Sequence, residues 1–284
     1  MNRLFVAICA FLFGLSAACQ SAGREAPRFD AAQARAEKRP TDSPQPAKRN
    51  SARLVHTLVA LCDNESQGIV PVPPRIGNGD DPANNLYWGA RFGVKTFFKT
   101  SSDWQLVAEN RNPKPAILER IILKHRTRDV YLVADAYRGR GIKQCVTDFF
   151  LFSSGRDEEA IKANTTELYA GGAADLIAYV GHDGLMDFSL DSYPQKSDER
   201  GRDAIILACA SKNYFAKPLA GTGANPLLWT TGLMAPEAYV LKAAIDGWVL
   251  KENGEKIRRR AAGAYHQYQR CGLNAALRLF SSGW

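Results

Sequence analysis

Two residues of this chain combine a reactive side chain with a setting suited to nucleophilic catalysis: His182 and Cys209, 27 positions apart. Each follows directly on a short apolar stretch. Residues 174–180 read ADLIAYV ahead of Gly181, His182, Asp183 and Gly184, and residues 203–208 read DAIILA ahead of Cys209. A thiol with its ordinary pKa of about 8.5 is mostly protonated at neutral pH, whereas the thiolate is the nucleophile. A nearby imidazole can take that proton and later give one to a leaving amine. The oxyanion formed on an attacked carbonyl needs fixed N–H donors, and the backbone amides of Gly184 and Cys209 are the candidates. Such chemistry is acyl transfer, with peptide hydrolysis its commonest form. Either residue alone also has a plainer reading, since Cys behaves as a small hydrophobe at strand ends and a His before a turn can cap backbone groups.

The elements that must position the pair are legible as apolar patterns. Residues 54–62 (LVHTLVALC), 129–136, 174–180, 203–208 and 227–231 read as strands buried on both faces, as in a parallel sheet. Helical spacing predicts helices over 86–98, 142–152 and 158–169, a long one opened by Pro236 and Glu237 and reaching about Leu250, and a last one over 255–280. Residues 116–125 fit either a helix or a strand. Strands alternating with helices in this order make an α/β fold with a mainly parallel sheet and helices on both faces. In such sheets reactive groups collect at the carboxyl ends of the strands. That edge would receive Asp63 and Asn64 from the first strand, His182 from the third and Cys209 from the fourth. Asp63, Asn64, Asp135 and Asp183 are candidates for shaping a substrate pocket, although the first three equally suit turn capping. Asp187 and Asp191 follow the Gly184 turn. Of the other histidines, His56 lies within the first strand as a core or edge residue, while His125 and His266 fit the surface.

The segments ADLIAYVGHDG and DAIILACASKNYF together resemble the core of the caspase-like cysteine peptidases, the group of caspases, legumain, gingipains, clostripain and separase. In that group one hydrophobic strand leads into the catalytic His, closely followed by Gly, and a second leads into a Cys preceded by a small residue. The resemblance implies a caspase-like three-layer sandwich over 53–284, with His182 as general acid/base, Cys209 as nucleophile and the amides of Gly184 and Cys209 as oxyanion hole. It also implies a peptide or protein substrate and no organic cofactor. The chain departs from the group in two ways: Asp183 stands between His and Gly, and the interval to Cys209 is shorter than the roughly 50 residues of caspases. The inserted Asp183 motivates an alternative, a non-catalytic envelope protein that uses the same scaffold for binding, its Cys209 inert or in a disulfide, for example with Cys62.

The amino terminus bears on where this chemistry would take place. Arg3, the apolar run 4–15 (LFVAICAFLFGL) and the small residues Ser16, Ala17 and Ala18 read as a signal peptide over 1–18. Cys19 sits where a bacterial lipoprotein carries its lipid, so a lipid anchor and plain secretion after Ala18 or Ala22 both remain open. Residues 19–52, rich in Ala, Pro, Ser, Gln and charge, read as a disordered linker. Export to the periplasm or the envelope surface permits disulfides. Of six cysteines, once Cys9 and a lipidated Cys19 are set aside, Cys62, Cys145 and Cys271 would remain beside a working Cys209, enough for one disulfide at most. No pair has C-x-x-C spacing, and with only four histidines a structural metal site is not expected. The run from Asn78 to Asp81 offers oxygens but lacks the distal Glu of a calcium loop and reads as a bare turn. Half of the net charge of +8 lies in the first 50 residues. The Arg258-Arg259-Arg260 run sits in a helix without aromatic interleaving and reads as a solvated face, so no specific nucleic-acid partner is expected. Membrane contact would be through the lipid anchor alone.

Overall fold

The computed structural model of the chain describes residues 50–284. The expected signal peptide, Cys19 and most of the linker lie outside the described residues. Among the described residues no helix is long and apolar enough to cross a membrane.

One mixed sheet of eight strands organises the molecule. From one edge to the other it runs Phe280–Ser281 (β10), Asn225–Thr230 (β9), Asp203–Leu207 (β8), Leu176–Val180 (β7), Arg53–Ala60 (β1), Val130–Tyr137 (β4), Ile117–His125 (β3) and Trp104–Lys114 (β2). The five strands from β9 to β4 are mutually parallel, and β10, β3 and β2 add antiparallel edges. The apolar runs arise because both faces of the parallel strands are covered. Within β7, Leu176, Ala178 and Val180 enter one hydrophobic cluster with residues of helices Val94–Lys99 (α1), Ala238–Val249 (α4) and Gly254–Gln269 (α5). The alternate residues Ile177 and Tyr179 enter a second cluster with Ile142–Ser153 (α2) and Ser211–Thr222 (α3). This is the two-residue period of a strand expressed as two cores.

Residues 116–125, which fit either a helix or a strand, are strand β3, and three sequence expectations change. Only Val94–Lys99 of the expected 86–98 helix forms. Before it, the Asn85 side chain accepts the amides of Cys62 and Tyr87, so the chain turns where two helix-weakening glycines, Gly89 and Gly93, already lower helix stability. The expected 158–169 helix is a hairpin of Glu159–Ala163 (β5) and Thr166–Ala170 (β6) around left-handed Asn164. Its Ile161, Ala163, Leu168 and Ala170 are buried in alternation, a strand period that won over the helical one. The expected final helix ends at Gln269, because Arg270 and Gly272 adopt left-handed φ of 53° and 86°. The chain then restarts as Leu273–Leu279 (α6) and closes the sheet with β10.

A buried polar chain ties the hairpin to the sheet. His56 on β1 pairs through Nε2 with Asp135 on β4 at 3.0 Å, and its Nδ1 accepts the Gly171 amide at 2.9 Å. An Nδ1 that accepts must lack a proton, so the ring is neutral with its N–H aimed at Asp135. Arg120 on β3 donates two hydrogen bonds to Asp135 and two to Glu159 of the hairpin. Burial pushes the Asp135 carboxyl up, but Arg120 and His56 outweigh it and hold it at about 2.

Candidate active site

The carboxyl ends of β7 and β8 bring the two reactive residues to the same step of the sheet. These strands are parallel neighbours with Val180 opposite Leu207, and His182 and Cys209 each come two residues later. The Gly181 amide prolongs the pairing by donating to Leu207 O at 3.2 Å. Gly181 has φ of 151°, and a Cβ there would press on Ala60 O at 2.8 Å, so glycine is required where the chain swings away from β1.

His182 is buried and held at both ends. Fully buried Tyr179 donates its hydroxyl to His182 O at 2.6 Å. The ring Nε2 lies 2.7 Å from Asp187 Oδ2, which also accepts the Gly68 amide at 3.0 Å. Because an ionised carboxylate only accepts, Nε2 carries the N–H and Nδ1 is left as the basic nitrogen. Asp183 is also buried. Its Oδ1 accepts the Leu185 amide at 3.0 Å, while its Oδ2 has no partner among the described residues. Burial pushes its carboxyl up to about 7, with Asp187 adding to the rise and the Leu185 and Met186 amides opposing it.

Cys209 sits on a strained strand-to-helix turn. Ala210 after it has φ of 48°, a left-handed conformation costly for any residue with a Cβ, and α3 begins at Ser211. Hydrogen bonds over-determine the turn: Ala210 donates to Gly232 O at 2.8 Å, and Ser211 bonds with Ile206 O and Thr230. The half-buried sulfur accepts the Met234 amide at 3.4 Å and faces Met234 O at 3.6 Å. Among the described residues no hydrogen bond joins the thiol to the imidazole, and neither the Gly184 nor the Cys209 amide has an acceptor. Gly184 packs against Phe188 and Ile142.

Asp63 and Asn64 lie beyond β1 and serve their own loop. Asp63 accepts from the Glu65 amide and the Ser66 hydroxyl, and the Asn64 amide group pairs with both backbone groups of Val72. With Glu65, Ser66, Asp80 and Arg140 they line a cavity of about 720 Å³ whose wall includes neither His182 nor Cys209. The Asn78 to Asp81 turn is braced by Arg138 and Arg140, both on Asp80. No three His, Cys, Asp or Glu side chains gather as metal ligands among the described residues. The Arg258 to Arg260 run is met by Glu252 and Glu255. Cys62, Cys145, Cys209 and Cys271 are all free. Cys62 and Cys209 follow strands β1 and β8, between which β7 lies, and no disulfide joins them.

Two partners of the pair escaped the sequence. Asp187 is visible as an acidic neighbour, but its contact with the ring depends on how the Gly184 turn folds. Met234 carries no local signal at all, because it meets the sulfur only through the loop after β9. No protein family, curated protein or solved structure matches the chain.

Proposed function

We propose that this chain is an exported or lipid-anchored cysteine endopeptidase with a caspase-like three-layer scaffold, in which His182 and Cys209 form the catalytic dyad. The observation that carries the reading is the shared step of His182 and Cys209 at the ends of adjacent parallel strands. Cys209 Sγ attacks the scissile carbonyl carbon as its proton passes to His182 Nδ1. The free amides of Cys209 and Gly184 receive the oxyanion. His182 then protonates the departing amine as the C–N bond breaks, leaving a thioester that water hydrolyses with His182 as base. The left-handed turn at Ala210 fits this role, because strained conformations held by a dense hydrogen-bond frame cluster at functional sites.

A second reading, a binding protein without catalysis, draws on one observation: the thiol bonds to Met234 and the imidazole to Asp187, not to each other. Catalytic hydrogen bonds are often long until substrate arrives, so the dyad remains the favoured reading.

Iodoacetamide labelling of the folded protein separates the two. Cys209 is expected to react and exposed Cys271 to react with it. Cys62, whose thiol burial pushes up to about 11, and fully buried Cys145 should react only after unfolding. Cys209→Ala should keep the fold and abolish cleavage of fluorescein-labelled casein. A native protein that labels at Cys271 and not at Cys209 would refute the dyad.

A further inference from the structure

A His–Cys dyad needs a group that fixes the imidazole, and the geometry points to Asp187 as its positioning residue. This inference rests on the dyad reading. Three observations converge on it. Asp187 Oδ2 lies 2.7 Å from His182 Nε2, on a ring that is otherwise buried. The same oxygen accepts the Gly68 amide at 3.0 Å, and a Cβ on Gly68 would collide with the carboxylate, so the loop after β1 approaches closely and restrains it. From behind, the Asp187 amide donates to Gly184 O at 3.0 Å, which fixes its backbone to the turn that carries the histidine.

The consequence is a chosen tautomer. With Nε2–H committed to a carboxylate, Nδ1 is the nitrogen left to take the thiol proton, and the ring cannot rotate without losing a charge-assisted bond. When the ring becomes imidazolium, Asp187 supplies the balancing charge. The two other polar groups against this turn do not compete for that part. Asp183 is kept protonated by burial up to about pH 7 and bonds to the Leu185 amide, and the Tyr179 hydroxyl is committed to His182 O. Asp187 acts only through His182, since its carboxylate touches the ring and the Gly68 loop.

The test is the pH profile of iodoacetamide labelling at Cys209 in the full chain, together with turnover of fluorescein-labelled casein, for wild type, His182→Ala, Asp187→Asn and Asp187→Glu. Asp187→Asn should move the labelling profile to higher pH by about one unit and lower kcat about 100-fold or more, with a far smaller change in KM. Asp187→Glu, which restores a carboxylate, should recover part of both and also guards against an Asn variant that fails to fold. If His182→Ala moves the profile and neither Asp187 variant does, the dyad stands and the positioning role is refuted. If His182→Ala keeps the wild-type profile, the dyad itself falls and takes the positioning role with it.

Discussion

Asp183→Asn is the sharpest test of the physics at this site, because the wild-type carboxyl is buried with one oxygen unpartnered and is pushed from an ordinary 3.8 to about 7. Between those two values the unfolded chain is ionised at this position while the native protein holds the proton. The unfolded state therefore binds fewer protons, and stability falls as pH rises. The slope approaches about 1.4 kcal/mol per pH unit, and a shift of about three units makes roughly 4 kcal/mol an upper bound on the total. The substituted amide keeps an oxygen to accept the Leu185 amide but cannot ionise, so this slope disappears. It also leaves a buried NH2 in place of the orphaned oxygen, a roughly constant cost of about 1–3 kcal/mol. Urea unfolding at pH 5, 6, 7 and 8 should show the variant gaining on wild type steadily from pH 5 to pH 7. The difference should flatten by pH 8. A stability difference that does not change with pH would refute the claim that Asp183 is held protonated by burial.

Asp135→Asn should cost about 3 kcal/mol or more, since it leaves Arg120 buried with only Glu159 to balance it. With Asp135 held at about 2, the part of its stabilisation that comes from ionisation is fully present above pH 4 and is lost as pH falls toward 2. Urea midpoints at pH 7 and pH 2.5 measure both, and a loss under 1 kcal/mol at pH 7 would contradict the buried-pair account. Ala210→Gly should raise stability by roughly 0.5–1 kcal/mol, because relief of the left-handed turn exceeds the entropy glycine adds to the unfolded chain. A lower urea midpoint would show that the turn is not strained at that residue.

The sheet and the placement of the reactive pair were readable in the chain because both depend on local signals. An uninterrupted apolar run of strand length marks a segment covered on both faces, and the residue after such a run lies at a sheet edge, so β1, β4, β7, β8 and β9 and the positions of His182 and Cys209 follow from residue order. Periodicity failed where two periods fit the same residues, as in 158–169, and where backbone conformation rather than hydrophobicity ended an element, as at Arg270 and Gly272. Which strands lie side by side, and therefore that β7 meets β8 in register and stands between the strands leading into Cys62 and Cys209, is a non-local outcome of packing. So are the contacts of Asp187 with His182 and of Met234 with Cys209. Residue order sets the chemistry each side chain carries and the period at which it recurs. Hydrogen bonds a few ångströms long between separate loops form only once the whole sheet has set the distances among its ends, so the partners of the imidazole and the thiol were decided by the tertiary structure alone.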